Sequence, residues 1–163
     1  MRIYISPSDQ TDNVGVGNYG TEAARMQDLA NRLGTALANK NHTVLGCKNT
    51  ISRKERIQES NNLNANFHIA LHSNAGGGTG PEIFYYTSSS AGKGLAEKVL
   101  QNITAVPGCP PSRGVKASSG LEELNSTKAV AILIEVAFHD NEYDAQWIIN
   151  NMNAIASAIA AAF

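Results

Sequence analysis

Glu135 is a carboxylate inside an otherwise apolar run of small and β-branched residues, 129–138. A run of this length and composition predicts a β-strand that is covered on both faces of its sheet. An unpaired carboxylate in apolar surroundings costs several kcal/mol. We therefore expect Glu135 either to face a cleft at the end of its strand or to pair with a cation such as Arg113. Both arrangements predict a functional site.

Other polar side chains follow the predicted strands at their carboxyl ends. Residues 6–10 (Ser-Pro-Ser-Asp-Gln) follow the first predicted strand, His72 ends the third, and Glu22 lies in the first turn of the first predicted helix. Ligands of open α/β sheets bind beyond the carboxyl ends of the strands, so we expect these residues at one rim. An imidazole, a helix carboxylate and one further polar side chain, with Glu135 as the base, match a catalytic zinc site, which has three protein ligands and a water.

Each of these residues has a simpler interpretation when it is taken alone. A histidine at a strand end, such as His72, is most often a hydrogen-bonded polar residue, and Glu22 is favoured at a helix N-terminus by the helix dipole. His68 precedes His72 by four residues, which on a strand places the two about 13 Å apart, so we expect them not to share a metal. His139 follows the Glu135 strand, and we expect it to cap the last helix or to lie at the surface.

The hydrophobic periodicity predicts alternating strands and helices in the order β-α-β-α-β-β-α-(β)-β-α. Strands are predicted at 2–6, 42–47, 66–72, 82–86 and 129–138, with a short edge strand within 112–128. Helices are predicted to begin at Thr21 and Ser52, and two more are predicted around 95–103 and 148–159. This alternation predicts a single α/β domain, with a mixed, mostly parallel central sheet of about five to six strands and helices on both faces.

Composition narrows the classes of partner. The 163-residue chain is 17% charged with a net charge of −1, which gives no electrostatic reason to expect nucleic acid as a partner. No apolar run of about 18 residues occurs, so we expect no membrane span, and we expect Cys47 and Cys109 to be free thiols. The first residues predict a strand and lack a signal-peptide pattern, so we expect synthesis in the cytoplasm without export by the general route. We expect the isolated domain to be a monomer.

Five segments, taken in their order, resemble the zinc-dependent N-acetylmuramoyl-L-alanine amidases of the Amidase_3 family, which occur as phage endolysins and bacterial autolysins. They are Tyr19-Gly-Thr-Glu22, Phe67-His-Ile-Ala-Leu-His72-Ser-Asn-Ala75, Gly80-Pro-Glu82-Ile-Phe-Tyr-Tyr86, Arg113-Gly-Val-Lys116 and Ile132-Leu-Ile-Glu135-Val-Ala-Phe138. The resemblance covers essentially the whole chain, 1–163, as an amidase catalytic domain. A cell-wall-binding domain could follow Phe163.

The resemblance implies hydrolysis of the amide bond between N-acetylmuramic acid and L-alanine in bacterial peptidoglycan, with Zn²⁺ as the cofactor. Glu22 and His72 are then zinc ligands, and Glu135 is the catalytic acid and base. The side chains that we expect to contact the substrate lie in the same segments and are Asn74, Glu82 and Arg113. The protein would act on the bacterial cell wall after its release from the cytoplasm.

The opening loop departs from the family, because it contains no counterpart of the first histidine ligand. Alignment by position puts Asp9 in its place, whereas Gln10 resembles a variant of the family that has Ser-Pro-Ser-x-Gln. A carboxylate is the better zinc ligand, since an amide oxygen is neutral. The variant pattern, however, keeps the glutamine and varies the residue before it. We therefore favour Gln10 as the third ligand and keep Asp9 as the alternative, with Asp12 a distant third. Two other functions stay open: a zinc peptidase that cuts within the stem peptide and, because the histidine is missing, an inactive cell-wall-binding relative.

Overall fold

A six-stranded β-sheet lies at the centre of the computed structural model, which describes residues 1–163. The strands are β1 (Arg2–Pro7), β2 (Thr43–Gly46), β3 (Phe67–Asn74), β4 (Glu82–Tyr86), β5 (Gly114–Ser118) and β6 (Val130–Phe138). The helices are α1 (Glu22–Asn39), α2 (Arg53–Asn62), α3 (Ser90–Thr104), α4 (Glu122–Asn125) and α5 (Glu142–Ala160). The predicted α/β class with one mixed sheet is confirmed, whereas the sequence pattern does not predict the short helix α4.

The strands lie in the order β2-β1-β3-β6-β4-β5. All neighbouring pairs are parallel except β4 and β6, which are antiparallel, so the sheet is mostly parallel as expected. Strands β3 and β4 are consecutive in the chain but do not pair, because β6 lies between them. This insertion places Glu135 beside His72 of β3 on one side and beside Glu82 of β4 on the other.

The two faces of the sheet carry different layers, because alternate side chains of a strand point to opposite faces. On one face, isoleucines of β1, β3 and β6 form the main core with α1, α3 and α5. The other face carries a smaller apolar cluster that includes Leu124 of α4 and Leu133 of β6. Alternation places His68, His72 and Glu135 on this second face, which α2 and α4 cover in part.

The loop between β3 and β4 is anchored by two aspartates that follow β6. Asp140 Oδ2 accepts hydrogen bonds from the backbone N–H groups of Gly76 and Gly77, at 2.7 and 2.9 Å. Asp144 is fully buried in the first turn of α5 and accepts a hydrogen bond from Gly80 N–H at 2.7 Å. These bonds fix the position of the loop relative to the carboxyl end of β6.

His139 is buried, so the expectation that it caps α5 or lies at the surface is wrong. It is 2% exposed, and its Nδ1 lies 2.9 Å from the Ser73 hydroxyl oxygen. The opening loop covers it, because Val16 N–H donates to the His139 carbonyl at 2.9 Å. The N-cap of α5 is Asn141 instead.

Both cysteines, Cys47 and Cys109, are free thiols, as expected. A membrane-crossing helix needs a length and an apolar character that no helix of this structure combines.

Candidate active site

The start of α1 is held against the opening loop. Thr21 caps the helix, since its hydroxyl oxygen accepts a hydrogen bond from Ala24 N–H at 3.2 Å. The backbone N–H of Glu22 donates to the Asn13 carbonyl at 2.8 Å. Loop and helix together therefore bring the Glu22 side chain to the carboxyl-end rim of the sheet.

His72, Glu22, Gln10 and Asn13 form a hydrogen-bonded cluster at this rim. His72 Nδ1 lies 2.9 Å from Glu22 Oε1 and 3.5 Å from Gln10 Nε2. Asn13 Nδ2 donates to Gln10 Oε1 at 2.6 Å and to Glu22 Oε2 at 2.8 Å. Asn13 therefore orients both side chains. Asn13 lies in a loop of turn-forming residues, and nothing in the sequence around it indicates this role.

The side chains of Gln10, Glu22 and His72 lie side by side at this rim. Bonds of about 2.0–2.1 Å at tetrahedral angles place the donor atoms of two zinc ligands roughly 3.3 Å apart. His72 Nδ1 lies 2.9 Å from Glu22 Oε1, close to that value, whereas its 3.5 Å contact with Gln10 is to the amide nitrogen Nε2, so the Gln10 amide would have to turn to present its oxygen. No group of three His, Cys, Asp or Glu side chains in the chain is placed to bind a metal. The third donor here would be the neutral amide oxygen of Gln10, a weaker ligand than a carboxylate.

Asp9, the alternative third ligand, contacts a different partner. Its Oδ1 lies 3.4 Å from a guanidinium nitrogen of Arg56. Arg56 is fully buried, and its Nε donates to Ser6 Oγ at 2.8 Å, so the cation that holds Asp9 is itself fixed. The geometry therefore favours Gln10 over Asp9 as the side chain next to His72.

Glu135 has a buried oxygen, Oε2, with no hydrogen-bond partner. Burial raises the pKa of its carboxyl to about 7; the nearby His72 opposes this shift, and the charges of Glu22 and Glu82 reinforce it. A carboxyl with this pKa can both accept and return a proton near neutral pH. The pairing of Glu135 with Arg113 is wrong, because Arg113 Nε donates to Glu82 Oε2 at 3.1 Å instead.

His72 lies between carboxylates that favour a positive charge. Burial lowers the pKa of its imidazole, but the adjacent carboxylates of Glu123 and Glu22 outweigh burial and raise the pKa to about 10. The pKa of Glu22 is lowered despite burial, because His72 and Asn13 donate hydrogen bonds to its carboxylate. The surrounding groups therefore stabilise a positive charge at this point. A bound divalent cation requires the same surroundings.

A cavity of about 170 Å³ opens beside His72 and Glu135. Its other lining residues are Gln10, Arg53, Leu121, Glu122, Glu123 and Leu133. A larger cavity of about 380 Å³ between α1 and α5 has none of the residues described above in its lining. The chemistry of the lining, rather than the size, identifies the smaller cavity as the candidate active site.

The three side chains expected to contact the substrate lie together next to Glu135. Asn74 Nδ2 donates to Glu82 Oε1 at 2.7 Å, and Arg113 Nε donates to Glu82 Oε2 at 3.1 Å. Lys116 also contacts Glu82 Oε2. The side chains of Arg113 and Lys116 are 39% and 40% exposed, so both cations keep donors available to a bound anion.

Comparison with known proteins identifies the family. The family model described as N-acetylmuramoyl-L-alanine amidase (Amidase_3) matches residues 3–163. The chain belongs to this amidase family. The N-acetylmuramoyl-L-alanine amidase CwlM of Bacillus licheniformis is 27% identical over 157 residues, 90% of this chain and 60% of CwlM. The sporulation-specific N-acetylmuramoyl-L-alanine amidase of Bacillus subtilis is 28% identical over 151 residues, 89% of this chain and 59% of that protein. The chain thus spans about three-fifths of the length of both curated relatives.

Solved amidase structures share the fold. The N-acetylmuramoyl-L-alanine amidase AmiC2 of Nostoc punctiforme has a TM-score of 0.86 at 20% identity, with 99% of this chain and 94% of that chain covered. The N-acetylmuramoyl-L-alanine amidase of Clostridium difficile 630 has a TM-score of 0.87 at 25% identity, with 99% and 93% covered. The family membership predicted from the five sequence segments is therefore confirmed, and the amidase fold extends over the whole chain.

The candidate amidase site also contains a buried carboxylate that sequence reasoning missed. Glu123 is 1% exposed, and its two oxygens lie 3.2 Å from His68 Nε2 and 3.5 Å from His72 Nε2. It belongs to a short polar segment that resembles a loop. The only available signal is the helical spacing of its apolar neighbours Leu121 and Leu124.

The stability of the metal-free protein is expected to fall as pH rises towards 7. Burial raises the pKa of Glu135 from 4.5 to about 7, so the folded chain binds this proton more tightly than the unfolded chain. The resulting contribution to folding is complete below pH 4.5 and is lost as pH rises through 7. Relative to Glu135→Gln, the free energy of unfolding should fall by roughly 3 kcal/mol over this interval. Chemical denaturation of both metal-free proteins across about pH 4–8 measures this difference, and a pH-independent difference would contradict the prediction.

Proposed function

We propose that this chain hydrolyses the amide bond between N-acetylmuramic acid and L-alanine in bacterial peptidoglycan, by means of a zinc-activated water. The observation that carries the proposal is the Glu135 carboxyl, which has one buried, unpartnered oxygen and lines a cavity together with His72, the partner of Glu22. Metal-assisted amide hydrolysis needs a proton acceptor of this kind next to a cation site. The family match and the amidase relatives support the choice of substrate.

Gln10, Glu22 and His72 would hold the zinc. A zinc ion bound there would lower the pKa of a water towards 7 and polarise the carbonyl that is attacked. The Glu135 carboxylate would accept the proton of the attacking water. The same carboxyl then gives that proton to the departing amine of L-alanine, so it ends the cycle in its starting state.

The cluster of Asn74, Glu82, Arg113 and Lys116 would bind the stem peptide. Two cations face one carboxylate in this cluster, so one positive charge is left over. A carboxylate of the peptide can accept charge-assisted hydrogen bonds from the exposed donors. Because β4 pairs with β6, a peptide held there would lie next to Glu135.

Product analysis tests the proposed bond. Purified peptidoglycan treated with the protein should acquire new L-alanine amino termini without new reducing sugar ends. New amino termini of any other stem-peptide residue would identify a peptidase that cuts within the stem peptide and would overturn the amidase proposal.

Gln10→Ala and Asp9→Ala are expected to separate the two candidates for the third ligand. Gln10→Ala should lower zinc affinity at least 10–100-fold, roughly the range caused by loss of an outer-shell partner. Asp9→Ala should leave zinc affinity unchanged, because the Asp9 carboxylate pairs with Arg56. Zinc affinity of the two purified variants, measured in parallel, decides between them. Loss of zinc from Asp9→Ala alone would assign the ligand to Asp9.

The neutral side chain of Gln10 favours one alternative function, an inactive cell-wall-binding relative. A neutral third ligand binds zinc less tightly than an anionic one. A protein that takes up no zinc, binds purified cell walls and releases no L-alanine amino termini after zinc is added would have this function.

A further inference from the structure

Glu123 is a buried carboxylate that touches His72 on the side opposite to Glu22. It lies in α4 and is 1% exposed. Its Oε2 lies 3.5 Å from His72 Nε2, whereas Glu22 Oε1 lies 2.9 Å from His72 Nδ1. The two nitrogens of one imidazole ring therefore face two different carboxylates.

The ring can bind a metal through one of these nitrogens while the other keeps its hydrogen. Nδ1 is the nitrogen near Glu22 and Gln10, so a metal held by these residues leaves the hydrogen on Nε2. His72 Nε2 is buried and has no hydrogen-bond partner in this structure, and Glu123 Oε2 lies 3.5 Å from it. A carboxylate that accepts the Nε2 hydrogen when the metal is bound would fix the orientation of the ring and make Nδ1 a better donor to the metal. We propose that Glu123 is the positioning residue of His72 and sets the affinity of the metal site. This inference rests on the zinc site of the proposed function.

Glu123 is itself held in place by buried donors. His68 Nε2 lies 3.2 Å from Glu123 Oε1, and the Ser6 hydroxyl donates to the same oxygen. Ser6 Oγ in turn accepts a hydrogen bond from Arg56 Nε at 2.8 Å, and both Arg56 and His68 are fully buried. Oε1 is thus engaged by the protein interior, and Oε2 is left for His72.

Burial of a carboxylate costs free energy that an ion pair often does no more than offset. A buried ion pair is often no more stabilising than apolar side chains of similar volume. Pairing of Glu123 with His68 alone would therefore give the protein no clear advantage. The second oxygen, which lies toward His72, gives the carboxylate a use, because it can orient a side chain of the candidate metal site.

Glu123→Gln tests this role on the full chain. An amide has one acceptor oxygen where a carboxylate has two, so a glutamine can accept from the Ser6 and His68 side or from His72, but not from both. We expect zinc affinity, measured by competition with a chelator, to fall roughly 10–100-fold.

Glu59→Gln is the matched control. The Glu59 carboxylate accepts a hydrogen bond from the Tyr4 hydroxyl at 2.6 Å, and the Tyr4 ring stacks on His68 with centroids 5.2 Å apart. The control therefore makes the same chemical change at a half-buried carboxylate that neighbours this network through Tyr4 and does not touch His72. Its zinc affinity should equal that of the unsubstituted protein.

A second measurement does not depend on the folding of either variant. In the zinc-loaded, unsubstituted protein, the hydrogen on His72 Nε2 should give a downfield, slowly exchanging NMR signal. Fast exchange of this hydrogen would overturn the proposal.

Equal zinc affinities for Glu123→Gln and Glu59→Gln would also overturn the proposal, even if both variants unfold at lower temperature, since that is the pattern of a purely structural role. Absence of zinc binding by the unsubstituted protein would overturn the proposed zinc site as well, whereas normal affinity in both variants would overturn only the role of Glu123.

Discussion

Glu135→Gln is expected to slow the hydrolysis of purified cell walls by about 10²–10⁴-fold, the usual contribution of a general acid–base group. The amide has the size of the carboxyl but can neither accept a proton from the attacking water nor give one to the leaving amine. Zinc content should be unchanged, because Glu135 is not among the three residues that would hold the metal. The rate at which L-alanine amino termini appear, together with zinc per chain, measures both effects.

Glu97→Gln is the control for this substitution. Glu97 lies on α3, its side chain is 54% exposed, and its only ion pair is with Lys93 at 3.8 Å. The same chemical change at this position should leave the rate of hydrolysis unchanged. Hydrolysis by Glu135→Gln at the rate of the unsubstituted protein would remove Glu135 from the mechanism.

Removal of the metal by a chelator is expected to stop wall hydrolysis, and added zinc should restore it. A metal that polarises a carbonyl lowers the barrier by several kcal/mol, which corresponds to a loss of roughly 10³-fold or more. His72→Ala should be equally inactive and should not recover at the same zinc concentration, because it lacks the imidazole nitrogen next to Glu22. Hydrolysis rate and zinc content before and after each treatment measure these outcomes.

Magnesium is the control ion for the restoration experiment. It prefers oxygen ligands in octahedral geometry, so a site with an imidazole and few oxygens suits it poorly. Full activity of the chelated protein, or restoration by magnesium alone, would contradict the zinc-dependent mechanism.

Strand β6 shows how much of the fold the local sequence determines. Its apolar, β-branched run predicts residues 129–138, and the strand spans Val130–Phe138. The capping residues Thr21 and Ser52 predict where two helices begin, and α1 and α2 begin at the next residue in each case. These features depend on side chains within about four residues of one another, so periodicity and capping chemistry suffice to find them.

The strand order and the contacts of Gln10 and Asp9 could not be predicted in the same way. Strand β6 enters the sheet between β3 and β4 although it follows both in the chain. Gln10 and Asp9 are neighbours in one loop, yet Gln10 lies beside His72 whereas Asp9 pairs with the buried Arg56. Strand order and side-chain partners of this kind depend on how distant segments pack, which no local pattern contains.

The sequence by itself singled out the residues that we propose for the chemistry. Glu135 stands out because a carboxylate is costly in an apolar strand, and His72 and Glu22 stand out because strand ends and helix starts meet at one rim. The tertiary structure alone decided what these residues touch. Glu22 reaches His72 across 50 positions of the chain, and Glu123 reaches His68 across 55. The physical reason is that strand and helix formation are local, whereas the distances between side chains of the candidate site are set by the packing of α1 and α4 against the sheet.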